Sequence, residues 1–223
     1  MDKLREKKLI LGLGHPRTGT GYTSKIMKSW GLRAGHEYMD NHGIVAWQFA
    51  TEAPPPMIAM NKFPTLCKDD WEFETIVYNV RNPYNSLLSI VEETYTLKWR
   101  GQWGEFEITE NVLFNAIKSL LSWDRMIMNK NPQIIYRIED EGRLLYDKLH
   151  ERYPEILRWN DIEVGVIHNS RKHPSWEEMK KYIPTVPEVI LEELNDYSLR
   201  NGYKKIFNIE KYELENSTSL PFS

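Results

Sequence analysis

The run Leu9-Ile10-Leu11-Gly12-Leu13-Gly14-His15-Pro16-Arg17-Thr18-Gly19-Thr20-Gly21-Tyr22 constrains the fold more than any other stretch of this chain. Its first part is continuously apolar, as in a strand buried on both faces. A glycine-bearing turn then leads into a helix. Such a turn cradles anions, because backbone N–H groups and the positive end of the helix point at the ligand and glycines let the backbone come close. The Walker A pattern G-x-x-x-x-G-K-[ST] adds a Lys for the terminal phosphates and a hydroxyl for Mg²⁺. Aligned on Gly14 and Gly19, this chain has Thr20 in place of that Lys and Gly21 in place of that hydroxyl, while its cation, Arg17, lies inside the loop. The turn points to a phosphate-bearing ligand held without a metal, and away from an ordinary ATPase or GTPase. Gly12 and Gly14 also imitate the start of a dinucleotide-binding G-x-G-x-x-G, but Arg17 stands where the third glycine belongs.

The remaining chain agrees with one α/β domain over residues 1–223. Its 41% apolar and 27% charged content is that of a globular protein. A net charge of −3 gives no basic footprint for nucleic acid, so any anion site is local. The single cysteine, Cys67, excludes an internal disulfide and a cysteine-rich metal site, and no metal is expected. The charged start Met1 to Lys8 and the short, glycine-broken apolar run after it match neither a signal peptide nor a membrane span, so the chain reads as cytoplasmic. Nothing in it sets an oligomeric state.

Periodicity predicts strands at 8–13, 74–80 and 133–138, and helices at 20–30, 44–51, 142–152, 175–183 and 187–200. Gly31 stops the first helix and Pro54-Pro55-Pro56 the second. Pro83 opens a further helix carrying Leu87, Leu88, Ile90 and Val91, and a long one follows Thr109. Strand, turn and helix therefore recur, which implies a parallel sheet with crossover helices. Residues 92–107, with Tyr95, Trp99, Trp103 and Phe106, read as an aromatic lid or surface loop, and 209–223 as a loosely ordered tail.

Two motifs resemble those of the sulfotransferases that use 3′-phosphoadenosine 5′-phosphosulfate (PAPS). Pro16-Arg17-Thr18-Gly19-Thr20 is similar to that family's 5′-phosphosulfate loop, P-[RK]-[ST]-G-T-T. The segment from Arg81 to Ser89, an Arg and a Ser eight residues apart with Pro83 between them, is similar to its 3′-phosphate motif. Charge-assisted hydrogen bonds of that kind contribute about 1.5–3 kcal/mol each, enough to tell a 3′-phosphorylated nucleotide from plain adenosine phosphates. Tyr136-Arg137-Ile138-Glu139-Asp140 is similar to the family's R-x-E-D segment, and the Gly-His-Pro-Arg loop resembles a bacterial subgroup of sulfotransferases.

The resemblance implies a P-loop-NTPase-like parallel sheet flanked by helices, with PAPS as donor and PAP as product. It places Arg17, Thr18, Gly19, Thr20 and Gly21 on the 5′-phosphosulfate and Arg81 with Ser89 on the 3′-phosphate. Arg171 and Lys172 would form a late basic loop over the same phosphate. Gly21 departs from the pattern, which carries a second hydroxyl there, and Thr23 is the nearest substitute. The family supplies a His or Glu base from the segment after the first helix. Here Gly35-His36-Glu37 offers Glu37 first and His36 second, with Arg17 stabilising the leaving phosphate. Trp47, Trp99 and Trp103 are candidates to stack on adenine or a sugar. The expected reaction is sulfuryl transfer to a hydroxyl of a carbohydrate or small molecule. The competing readings are a 3′-phosphonucleotide-binding protein without catalysis and a degenerate P-loop kinase.

Overall fold

The computed structural model describes residues 5–51, 70–93, 106–160, 173–211 and 213–214. Cys67, the proline triplet, Tyr95, Trp99, Trp103, Arg171 and Lys172 lie outside these described residues. The chain divides into two compact units, each built from two stretches: Met1–Arg81 with Trp123–Ser170, and Asn82–Ser122 with Arg171–Ser223.

The first unit is a five-stranded parallel sheet flanked by helices. Its strands are β1 (Glu6–Leu13), β2 (Ala34–His36), β3 (Gly43–Val45), β4 (Trp71–Val80) and β5 (Ile134–Arg137), in the order β2-β3-β1-β4-β5. The apolar run therefore sits centrally, as its burial on both faces requires. Ile10 and Val77 join one buried cluster with Ile26, Met27 and Trp30 of the α1 region (helix Thr20–Ser29). Leu145 and Leu149 of the helix Arg143–Arg152 belong to the same cluster. Leu11 and Leu13, pointing the other way, are also buried. Each such side chain contributes about 1.5–3 kcal/mol on leaving water.

Because all five strands run the same way, their C-terminal ends share one edge of the sheet. The glycine-rich turn, His36-Glu37, Trp47, Asn79 to Arg81 and Ile138 all leave from that edge, which is where open α/β sheets bind ligands.

The second unit has its own core. It contains α2 (Pro83–Val91) and the first part of α3 (Val112–Met128), whose residues from Trp123 on belong to the first unit. Counting Arg143–Arg152 as α4, two further helices follow, α5 (Trp176–Met179) and α6 (Glu188–Arg200). Pro83 occupies the first turn of α2, and Asn82 caps it by accepting from the Tyr84 N–H at 3.0 Å. Leu87, Leu113, Ile117, Leu120, Trp176, Leu191 and Phe207 are among its buried residues.

Several expectations require correction. The predicted helix over 44–51 is instead the end of β3 followed by a single 3₁₀ turn, Trp47–Ala50. Ile44 and Val45, β-branched and fully buried, fit a parallel strand better than a helix. The helix over 175–183 ends at Met179 and continues as a 3₁₀ turn, Lys180–Thr185, around Pro184. Separately from these corrections, Glu213–Leu214 pairs antiparallel with Phe207–Asn208.

Candidate functional site

The turn after β1 is shaped from inside. His15 points inward, 1% exposed, with its ring edge-on to Trp123 at a centroid distance of 5.7 Å. Both the backbone N–H and the hydroxyl of Thr18 donate to the His15 carbonyl, at 2.9 and 2.8 Å. These two hydrogen bonds close a tight turn around Pro16 and Arg17, both half-buried. Asn79 Nδ2, from β4, donates to the Thr18 carbonyl at 2.9 Å and to Thr18 Oγ1 at 3.1 Å. Arg81 Nη1 donates to the Arg17 carbonyl at 3.3 Å, so two guanidinium-bearing residues meet at the loop.

Gly19 then takes φ +95, a left-handed conformation that costs other residues about 1–2 kcal/mol, and α1 begins. The first bond within the helix runs from the Thr23 N–H to the Gly19 carbonyl, 2.9 Å. The N–H groups of residues 19–22 thus find no acceptor inside the helix, no side chain caps them, and no acidic residue lies in the first turn. This end carries about half a positive charge, and the first turn itself contributes no carboxylate to oppose an anion there.

Thr23 does not supply the hydroxyl missing at Gly21. It is fully buried, donates to the Gly19 carbonyl at 3.1 Å, and shares a 2.6 Å hydrogen bond with the Tyr136 hydroxyl. Because the Thr23 hydroxyl donates to the Gly19 carbonyl, the Tyr136 O–H donates to Thr23, and burial keeps that phenol neutral by pushing its pKa far up.

At Thr20 the helix meets the end of β2. Thr20 Oγ1 lies 3.3 Å from His36 Nε2, and a Cβ on Gly21 would stand 3.5 Å from His36 Cε1. The imidazole therefore lies over the first turn of α1. His36 counts as exposed, yet enough protein surrounds the ring that lost hydration lowers its pKa; the Glu37 carboxylate opposes this and Lys28 adds to it. A neutral imidazole at pH 7 is able to take a proton.

Glu37 holds a left-handed φ of +59, uncommon for a residue with a side chain and shared among the described residues by Asn131 and Glu141. Its N–H donates to the Val45 carbonyl at 3.0 Å, and its Oε1 accepts from Trp47 Nε1 at 2.9 Å. Trp47 is 4% exposed and tilts against Trp123. The expectation that Trp47 stacks on a ligand is corrected: its indole belongs to the interior and orients Glu37. Beside it, Lys28 bonds the Tyr38 hydroxyl and pairs with Asp40 at 3.5 Å. Burial alone would raise the Asp40 pKa, but the Asn41 N–H, Arg33 and Lys28 together bring it down.

The structure thus brings together Thr20, Gly21 and His36, and separately Arg17 with Arg81. Ser89, 2% exposed in α2, belongs to the second unit. Arg137 grips Asp140 with two bonds, Nε to Oδ2 at 3.0 Å and Nη2 to Oδ1 at 2.7 Å, which closes the R-x-E-D segment on itself. Sequence reasoning missed Asn79. Its signal was a carboxamide at the end of the run Thr-Ile-Val-Tyr-Asn-Val, in a strand otherwise suited to full burial, where a polar group must find partners.

Among the described residues, no three His, Cys, Asp or Glu side chains gather as a metal site, and no helix is long and apolar enough to cross a membrane. No family model matches the sequence, and no curated protein matches it. Among solved structures, the chain is similar to mouse sulfotransferase SULT7A1 complexed with PAP. The identity is 13%, over 85% of this chain and 67% of that one, with a TM-score of 0.34.

Proposed function

We propose that this chain is a sulfotransferase that moves a sulfuryl group from PAPS to a hydroxyl of a carbohydrate or small molecule. The observation that carries the reading is the uncapped start of α1, with Arg17 in the preceding loop and no Lys at position 20. Such a site suits a 5′-phosphosulfate held by amides and a guanidinium rather than by a metal. Gly19, Thr20 and Gly21 offer N–H groups, Thr20 a hydroxyl, and Arg17 the charge that stabilises the leaving phosphate. Thr18 serves the loop's shape, since its hydroxyl and N–H are turned to His15. Arg81 and Ser89 take the 3′-phosphate, with Arg171 and Lys172 as further basic ligands.

The transfer is a displacement in line at sulfur. The acceptor hydroxyl gives its proton to Glu37 or His36, its oxygen bonds to sulfur, and the bond from sulfur to the 5′-phosphate oxygen breaks to release PAP. Positioning and charge stabilisation supply most of the acceleration, and the base typically contributes about 10²–10⁴-fold.

A second reading, nucleotide binding without transfer, is favoured by one feature: Gly21 lacks a hydroxyl, and Thr23 is committed to Gly19 and Tyr136. Mass spectrometry of mixed sugar and small-molecule alcohols incubated with PAPS, protein and EDTA separates the two. Sulfate addition to any acceptor supports the transferase, and bisphosphate binding with no addition across the panel supports the second reading.

A further inference from the structure

Asn79 is fully buried at the C-terminal end of β4, between Tyr78 and Val80, which are also buried. Its carboxamide spends both N–H donors on one residue of the turn, the carbonyl and the hydroxyl of Thr18. The orientation of the amide is fixed by chemistry, because the atom 2.9 Å from a carbonyl oxygen must be the donor. Thr18 passes the constraint on by donating its hydroxyl and its N–H to His15. Three residues thus form a clasp beneath Pro16 and Arg17.

The same side chain decides what residue 14 is. A Cβ on Gly14 would stand 2.5 Å from Asn79 Oδ1, 2.6 Å from Nδ2 and 2.7 Å from Cγ. All three atoms of the amide head occupy that space, and the amide is held by its bonds to Thr18, so it does not swing aside. Asn79 Oδ1, facing this gap, has no hydrogen-bond partner. A buried carbonyl left without a donor costs stability that an apolar residue in a strand would not. That cost, at the point where the glycine-rich loop leaves the sheet, fits a role in shaping the loop more than a gain in stability.

We infer that Asn79 is a positioning residue for the anion-binding loop: it sets the loop in its binding shape before a ligand arrives, and Gly14 is a glycine because Asn79 stands against it. The inference concerns the loop of the proposed PAPS site and rests on that reading only for the identity of the ligand. The N–H groups at the start of α1 face an anion productively only while the turn from His15 to Thr18 stays closed.

The first test needs no ligand. Hydrogen exchange of the 14–20 segment is compared in the wild-type chain and Asn79→Ala, with the segment 143–152 as reference. Exchange at residues 14–20 rises about tenfold or more while 143–152 is unchanged. Unchanged exchange at 14–20, or an equal rise in both segments, overturns the inference.

The second test is a cycle on adenosine 3′,5′-bisphosphate affinity with Gly14→Ala, Asn79→Ala and the pair. Each single change weakens binding, and the pair recovers about tenfold over Gly14→Ala alone, because removing the amide makes room for the methyl. Additive losses contradict the inference. If Gly14→Ala does not fold, return of a cooperative melt in the double variant supports it, and no return contradicts it. If the wild-type chain itself ignores the bisphosphate, the donor assignment fails while the exchange experiment still decides the clasp.

Discussion

His36 Nε2 lies 3.3 Å from Thr20 Oγ1, joining the end of the second strand to the first residue of the helix after the glycine-rich turn. A titratable ring is thereby placed over the helix end that would receive an anion, and its protonation bears on both stability and chemistry.

The pH dependence of stability follows. Burial lowers the His36 pKa below its ordinary value near 6.5, so between the lowered and the ordinary value the unfolded chain binds more protons than the folded one. Stability therefore falls as pH drops from about 6.5 through the folded pKa, and is unaffected by this group above that window. Melting curves of the wild type and His36→Gln, recorded across this range, show a smaller acid-side loss in the variant. Part of the loss remains, because burial and Arg33 also lower the pKa of His42.

Two glycines in one turn respond oppositely to alanine. Gly19→Ala forces a methyl into a left-handed φ of +95 and to within 3.0 Å of Ile138 Cδ1, and destabilises the chain by about 1–2 kcal/mol in denaturant titration. Gly21 has an ordinary helical backbone, and its nearest contact is His36 at 3.5 Å. Gly21→Ala leaves stability unchanged or raises it by up to about 1 kcal/mol.

The base is assigned by a set of variants. Loss of sulfate transfer in Glu37→Gln but not His36→Ala identifies Glu37, and the reverse pattern identifies His36. If Glu37 is the base, Trp47→Phe removes the N–H bond to its Oε1 while keeping an aromatic ring, and lowers kcat about tenfold with an unchanged KM for the donor.

The buried hydrogen bond between Tyr136 and Thr23 ties β5 to the first turn of α1. Tyr136→Phe leaves Thr23 its bond to Gly19 and costs about 1 kcal/mol by chemical denaturation. Thr23→Val leaves the Tyr136 hydroxyl buried without its partner and costs more.

Legibility in the sequence followed the length and apolarity of each element. β1, β4 and β5 stood out because their runs are β-branched or continuously apolar, and α1 and α2 because a glycine turn or Pro83 announced them. β2 and β3 were hidden: each has three residues, and each contains a glycine. Gly43 is there because a Cβ would lie 1.9 Å from the Ile10 carbonyl, a requirement set by a strand distant in sequence. The cradle was readable for the same reason as β1, since its loop chemistry is contiguous. What was not readable is which hydroxyls are bonded within the fold: Thr18 Oγ1 accepts from Asn79, and Thr23 Oγ1 shares a hydrogen bond with Tyr136.

In the proposed function, the loop from Gly14 to Gly21 receives the phosphosulfate end of a 3′-phosphorylated adenine nucleotide without a metal. Isothermal titration of adenosine 3′,5′-bisphosphate in EDTA, beside ADP and ATP with Mg²⁺, tests it most directly. The expected result is that the bisphosphate binds at least about tenfold more tightly than either comparator, and that Arg17→Ala weakens it by about tenfold or more. No bisphosphate binding at millimolar concentration, or a preference for ATP with Mg²⁺, would contradict it.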